Sequence, residues 1–269
     1  MVTGTTTKTS VVVDIGKTEN TGQYKYGNTQ HKITLHKIDH QPDKGYKKYV
    51  HTLTGDCVVG TIRYGNKDQN GFDLKDQNCI EVTVYYLEHD RNNAFPFIVG
   101  ITKDKTSYEY FTKDHSADST NWGKTDITSD DALKNKLSEI NKATHLVLLN
   151  VDAETRSTYY SNGTKTSPFT HPNIEIKVSE PKCVQTVYKK FDHTPTGGSI
   201  RILNTVGKGS SLYPLISSDL YTCYTSAHFY TWSGDKENNK ILLELKSTGS
   251  MYFKFEGGNG YTTVEANQT

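Results

Sequence analysis

The chain has 269 residues, with 31 Lys plus Arg set against 30 Asp plus Glu and a hydrophobic fraction of 33%. The length suits about two domains, and the charge balance argues against a nucleic-acid binder or a polybasic membrane-surface protein. No run approaches the roughly 20 apolar residues that span a bilayer, so no membrane insertion is expected. Mean hydropathy is low at −0.68, yet 18 Tyr and 9 Phe supply enough apolar surface to argue against disorder.

Residues 1–9 are Thr-rich and carry no apolar signal core, which predicts a flexible N-terminal segment. Val11-Val12-Val13-Asp14-Ile15 reads as a short β-branched strand. Lys32-Ile33-Thr34-Leu35-His36-Lys37-Ile38 alternates polar and apolar, as a half-buried strand should. Tyr46 to His51 alternates again, with Tyr46, Lys48 and Val50 on one face and Lys47, Tyr49 and His51 on the other. Val58–Tyr64, Ile80–Tyr86, Phe97–Ile101 and Ser107–Phe111 read as further strands, the last three as antiparallel neighbours. A helix is predicted over residues 129–142. Ser129 is its N-cap, Asp130 and Asp131 suit its first turn, and Ala132, Leu133, Leu137 and Ile140 form an apolar stripe that packs on the sheet.

The chain then repeats itself. Tyr46-Lys47-Lys48-Tyr49-Val50-His51-Thr52-Leu53-Thr54-Gly55 returns as Tyr188-Lys189-Lys190-Phe191-Asp192-His193-Thr194-Pro195-Thr196-Gly197. Val13-Asp14-Ile15 matches Leu149-Asn150-Val151, Tyr24 matches Tyr160, and Gly27 nearly matches Gly163. Ile33-Thr34-Leu35 matches Ile174-Glu175-Ile176, Tyr85 and Asp90 match Tyr230 and Asp235, and Tyr108–Phe111 matches Tyr252–Phe255. The drifting offset is what loop insertions produce. The expected organisation is a β-rich module over 10–144, closed by the helix, and a related β-rich module over 145–269 that either lacks an equivalent helix or is cut before it. The fold class is therefore mainly β: two tandem sandwich- or roll-like modules with one α-helix closing the first.

The ordered motifs Val12–Ile15, Tyr159-Tyr160 with Gly163, Lys32–Leu35, Tyr46–Thr52, Ile80–Asp90, Pro96–Val99 and Tyr108–Phe111 resemble the paralogous modules of piroplasm (Theileria-type) parasites, related to FAINT-type domains. The resemblance covers nearly the whole chain. It implies a secreted or parasite-surface protein acting in host interaction, and it carries over no catalytic residue. Such proteins are expected to begin with a signal peptide, which Met1–Ser10 does not resemble.

Cys57 and Cys79 fall in the first module, Cys183 and Cys223 in the second. Two per module fits the pairings Cys57–Cys79 and Cys183–Cys223 in an oxidising compartment, against four free thiols in an intracellular protein. No short Cys spacing supports zinc. Asn66, Asp68, Asn70 and Gly71 resemble the start of a calcium loop, but its twelfth position is Gln77. His36 and His40 do not converge in a strand-and-turn setting. Asp114-His115-Ser116 places triad residue types side by side, where extended side chains point apart. Gly207-Lys208-Gly209-Ser210 lacks the earlier glycine of a phosphate loop. His51 and His193 recur and are read as structural hydrogen-bond partners. Asn162 and Asn267 head glycosylation sequons that matter only on the secretory route. No metal, cofactor or catalytic set is expected.

The sequence thus favours a non-enzymatic protein that meets a host protein or glycan. The alternative is a small-molecule or carbohydrate-binding module using Trp122 and Trp232 as stacking platforms.

Overall fold

The computed structural model describes residues 8–18, 22–25, 32–75, 77–169, 174–207, 211–215, 220–237 and 239–264. The chain parts into two compact units, Met1–Ile140 and Asn141–Thr269. Both are mainly β, each with a small and a large sheet.

Among the described residues unit 1 holds β1 (Thr9–Asp14), β2 (Gly22–Lys25), β3 (Lys32–Asp39), β4 (Tyr46–Leu53), β5 (Cys57–Tyr64), β6 (Lys67–Gln69), β7 (Glu81–Leu87), β8 (Ile98–Thr102), β9 (Tyr108–Lys113) and β10 (Trp122–Thr125). Helix α1 (Asp130–Thr144) follows. Seven strands pair antiparallel in the order β10-β9-β8-β7-β4-β3-β2, and β1-β5-β6 forms the second sheet, with β1 parallel to β5. The core lies between the sheets: Val11, Val13, Ile15, Val59 and Ile62 from the small one, Tyr49, Val82, Val84, Tyr86, Val99, Ile101 and Phe111 from the large one.

Strand β7 is buried along its whole length, so the other face of the large sheet is covered too. Leu133, Leu137 and Ile140 of α1 are buried but belong to a second layer outside that core. Asp130 at the helix start acts electrostatically on Lys48 and Tyr110, which share the outer face. The start of helix α1 therefore lies near this face. Ser129 caps it, its Oγ accepting the Ala132 N–H at 3.2 Å.

Unit 2 holds β11 (Leu146–Asn150), β12 (Thr158–Tyr160), β13 (Glu175–Val178), β14 (Lys182–Val184), β15 (Tyr188–Pro195), β16 (Arg201–Val206), β17 (Leu212–Tyr213), β18 (Ser226–Trp232), β19 (Leu242–Lys246), β20 (Ser250–Phe255) and β21 (Tyr261–Val264). The large sheet runs β12-β13-β15-β18-β19-β20-β21, with β14 also on β15; the small one runs β11-β16-β17.

The strand registers relate the two units residue by residue. Lys48, Tyr85 and Ile98 lie opposite one another, as do Lys190, Tyr230 and Leu242. In β1 a bulge falls between Val11 and Val12, and in β11 between Val147 and Leu148. Asp14 Oδ1 then accepts the Gly16 N–H at 3.0 Å, as Asn150 Oδ1 accepts the Asp152 N–H at 2.9 Å. Asp90 accepts the N–H groups of Ala94 and Phe95 at 2.9 and 2.8 Å; Asp235 accepts those of Glu237 and Asn239, both at 2.9 Å.

Three of the expected matches shift. Phe111 lies opposite Val99 as Phe253 lies opposite Leu243, so Tyr110-Phe111 matches Tyr252-Phe253 rather than Tyr110-Phe111 matching Lys254-Phe255. Ile33 lies opposite Leu53 as Ile176 lies opposite Pro195, so Ile33 matches Ile176 rather than Ile174. Both slips are by two residues, which leaves every side chain on the same face and so preserves the apolar alternation. Tyr24, opposite Ile33, then matches Tyr159 rather than its neighbour Tyr160. Gly27 lies outside the described residues.

Candidate functional site

The registers expose a contrast between the units. On the outer face of unit 1's large sheet, Tyr46 lies opposite Leu87, and the two are 5% and 1% exposed. The same positions in unit 2 hold Tyr188 opposite Trp232, which are 38% and 56% exposed. Tyr188 begins β15 and Trp232 ends β18, so period-2 alternation puts both on the face shared by Lys190 and Tyr230. Val184 of β14 lies opposite Tyr188 and extends this apolar end.

Below the aromatic pair the face turns polar. Tyr230 OH donates to Glu244 Oε2 at 2.6 Å, and Ser250 Oγ donates to Glu244 Oε1 at 2.7 Å. Lys190 lies 5.9 Å from the Tyr230 ring centroid, and its ammonium is 3.5 Å from Asp192. Asp192 also pairs with Lys182 at 2.8 Å and with His228 Nδ1 at 2.8 Å. Burial works against the Asp192 carboxylate, but Lys182, Lys190 and His228 outweigh it and hold its pKa below the usual range. Burial, and next Lys190, hold the His228 imidazole below its ordinary value against the pull of Asp192 and Glu244.

The other ring nitrogen of His228 lies 3.0 Å from Ser226 Oγ. Ser226, His228 and Asp192 therefore have the hydrogen-bond order of a nucleophile, base and orienting acid. Their chemistry is limited by their setting. Acyl transfer also needs donors aimed at a developing oxyanion, and the backbone around Ser226 is committed to the sheet: Thr225 N donates to Lys246 O at 2.7 Å, and Ser226 and Ala227 lie in the β18 ladders. The relay orients His228, and burial disfavours its charged form. The sequence carried a signal for it, because Ser226 and His228 alternate on one strand face. Asp192 is 34 residues before Ser226 and joins them only through the β15–β18 register.

Clefts also lie elsewhere among the described residues. One of about 210 Å³ in unit 1 is lined by Gln77, Cys79, Thr102, Asp104, Tyr108 and Glu109 among others. One of about 90 Å³ in unit 2 is lined by Asp152, Tyr213, Lys240, Phe255 and Tyr261 among others. Sequence reading also missed two aromatic-bound ammonium groups. Lys47 is buried, donates to Asp90 O, and lies 5.5 and 5.9 Å from the Tyr49 and Tyr86 centroids. Lys240 lies 3.5 Å from the centroid of Phe191, which matches Tyr49. Burial lowers both lysines to about 8. Each unit thus seats a cation on the same aromatic position from a different point in the chain.

Of the two predicted platforms, Trp232 is exposed and Trp122 is not. Trp122 is 4% exposed and its Nε1 donates to Gln69 Oε1 at 3.0 Å. Its ring lies 5.8 Å from Phe72 within the core of unit 1, so it is corrected to a packing residue. The expected disulfides are also corrected, since none of the four cysteines is in a disulfide. Cys183 lies opposite Lys189, which lies opposite Thr231, whereas Cys223 precedes Ser226 at the far end of β18. At about 3.3 Å per residue, Ser226–Thr231 alone separates them by about 17 Å, well beyond bonding reach. Cys57 and Cys79 are buried, and burial raises both thiols. We expect a thiol reagent to titrate Cys183 and Cys223 in the folded protein and Cys57 and Cys79 only after denaturant. Four rapid reactions, or none, would contradict this placement.

The remaining motif residues stay apart. Asp68 pairs with Arg63 at 2.8 Å. His40 pairs with Glu88 at 3.2 Å, and His36 lies in β3. His115 Nε2 lies 3.1 Å from Phe97 O, while Asp114 accepts the Ser116 N–H at 2.8 Å. Among the described residues no three His, Cys, Asp or Glu gather as metal ligands, and no helix is long and apolar enough to cross a membrane. Asn162 lies in a turn, its Oδ1 accepting the Thr164 N–H at 3.3 Å. Asn267 and Lys208–Ser210 lie outside the described residues. Comparison with known proteins gives no match: no family model, no curated protein and no solved structure matches the chain.

Proposed function

We propose that the chain is a non-enzymatic recognition protein whose contact surface is the open outer face of the large sheet of unit 2. What supports this is the pair Tyr188 and Trp232, exposed at the positions where unit 1 buries Tyr46 and Leu87. Tyr and Trp are the side chains most often found at the energetic centre of protein contacts, and here a rim of lysines and engaged carboxylates surrounds them. The committed hydrogen bonds of Ser226, His228 and Asp192 favour binding over turnover. The resemblance to piroplasm modules adds the proposal that the protein is secreted or displayed and meets a host molecule. A glycan is the second reading, favoured by the exposed Trp232 indole as a stacking plane.

Arrays of extracellular proteins and of glycans, probed with the labelled full chain, test this reading. Ligands of the wild-type protein should lose about tenfold or more in affinity on Trp232→Ala. Ligands held equally well by the variant would remove this face from the function. Retention on the glycan array alone would select the second reading.

A further inference from the structure

We propose that the cleft beside Cys79 in unit 1 binds a small aromatic acid, a single phenol-like ring carrying a carboxylate. The site belongs to unit 1 alone and is independent of the recognition reading above.

The strand registers show how the cleft arises. Ile80 N donates to Thr102 O at 2.9 Å, as Thr225 N donates to Lys246 O at 2.7 Å. Cys79 therefore holds the position that Tyr224 holds in unit 2. Glu109 lies opposite Ile101 as Met251 lies opposite Leu245, so Glu109 holds the position of Met251. Tyr224 is fully buried, and its hydroxyl reaches Met251 Sδ at 3.6 Å. In unit 2 the phenol thus fills the space between these two positions. In unit 1 a thiol replaces the phenol, and Cys79, Ile101 and Glu109 line a cleft of about 210 Å³. A ligand ring entering this cleft takes the place of the Tyr224 ring. The ring of Tyr108 adds a wall, held by its hydroxyl, which donates to Glu81. Tyr108 lies opposite Thr102 as Ser250 lies opposite Lys246, so unit 2 has no ring at the matching position.

The polar groups select what the ring carries. Gln77 lines the cleft, and its Oε1 is buried without a hydrogen-bond partner. A buried acceptor left unpaired is costly, so a ligand hydroxyl that donates to it is favoured. Lys103 also lines the cleft, is exposed, and makes no ion pair among the described residues. The carboxylates of the cleft are already engaged. Asp104 accepts the N–H groups of Thr106 and Ser107, both at 2.8 Å, and Glu109 pairs with Lys124 at 3.4 Å. The cleft therefore offers a ligand one acceptor and one cation, beside an apolar lining that suits a ring. A phenolic hydroxyl answers the first and a carboxylate the second.

Titration calorimetry of the full chain with para-hydroxyphenylacetate tests the proposal. Binding should saturate below roughly 1 mM and weaken about tenfold or more on Lys103→Glu, a change at an exposed site. Phenylacetate, which lacks the hydroxyl, should bind about tenfold more weakly because it leaves Gln77 Oε1 unpaired. Cys79→Tyr should abolish binding by restoring the phenol that unit 2 carries, with hydrogen exchange showing unit 1 still folded. If that variant does not fold, Lys103→Glu decides alone. No saturable binding in this range overturns the proposal. Binding that ignores Lys103→Glu, or that survives in folded Cys79→Tyr, overturns the assignment to this cleft. Phenylacetate binding as tightly as its hydroxylated relative overturns the pairing with Gln77 and with it the choice of a phenol.

Discussion

Trp122→Ala is expected to destabilise unit 1 by about 3–5 kcal/mol, the usual loss for a buried Trp or Phe truncated to Ala. The indole fills space beside Phe72, which itself lies 4.9 Å from Phe111, and Lys113 places its ammonium 5.5 Å from the Trp122 ring centroid. The truncation also strips Gln69 Oε1 of the indole donor in a site where Gln69 is buried, and an orphaned buried acceptor costs about 1–3 kcal/mol. Little relaxation is available to close the gap. Trp122 N donates to Asn70 O at 2.9 Å and Asn70 N to Thr120 O at 2.8 Å. Gly71 has a positive φ of 93° and would bring a Cβ within 1.8 Å of Trp122 O, so the backbones are already in close approach. Trp232→Ala, by contrast, should change stability by less than about 0.5 kcal/mol, as for an ordinary surface site. Denaturant unfolding with hydrogen exchange read separately in each unit checks both. A Trp122→Ala protein whose unit 1 unfolds at the wild-type midpoint would contradict its placement in the core. The same experiment shows whether Trp232→Ala leaves the fold intact for the binding tests.

These two tryptophans mark where the sequence was readable. Both follow or precede polar residues in strand-like segments, and local alternation alone does not say which face of a sheet is covered. In unit 1 the helix was legible, because Ser129, the acidic first turn and the Leu133–Leu137–Ile140 spacing predict α1, and the structure forms it over Asp130–Thr144 with that stripe buried. In unit 2 the exposure of Tyr188 and Trp232, at the positions where unit 1 buries Tyr46 and Leu87, needed the strand registers. The β-rich class followed from β-branched and aromatic alternation, while the exact pairing of the repeats did not, since a shift of two residues preserves that alternation. The Asp192 link of the Ser226–His228–Asp192 relay was invisible for a related reason: it is made across β15 and β18, and sequence spacing does not encode which rows of two strands face each other. Lys47 was hidden by its own chemistry. A lysine on a strand reads as solvent-facing, and it is the rings of Tyr49 and Tyr86, the Asp90 carbonyl and the charge of the Asp90 carboxylate that make its burial tolerable.

Acid should weaken both units well above the pH at which carboxylates protonate. His51 and His193 match in the repeat and are fully buried, and burial lowers each imidazole from 6.5 to about 3. His193 takes the Tyr159 hydroxyl on Nδ1 at 2.9 Å and packs 4.8 Å from Phe229. Lys240 and His228 lower it further, while Asp192 pulls the other way. The folded state therefore keeps both rings neutral. Below pH 6.5 the unfolded chain binds protons that the folded chain refuses, so stability falls as pH drops from about 6.5 towards 3. The slope is about 1.4 kcal/mol per pH unit for each histidine, or about 2 kcal/mol lost per unit of the protein by pH 5. The lowered carboxylates of Asp192 and Glu244 behave differently: their contribution is intact above the ordinary carboxylate range and is lost only as pH falls through their own pKa values. The interval between pH 6.5 and 5 thus isolates the histidines in unit 2, while in unit 1 burial raises the Asp90 carboxyl and its protonation opposes the histidine slope. Denaturant midpoints of each unit, measured across that interval, should fall with acid. His193→Gln, which keeps a hydrogen-bond partner for Tyr159 but cannot titrate, should flatten most of the unit 2 slope and leave that of unit 1 unchanged, with His228 supplying the smaller remainder. An unaltered unit 2 slope in His193→Gln would place the responsible proton on another group and would separate the repeated histidine from the acid sensitivity of the fold.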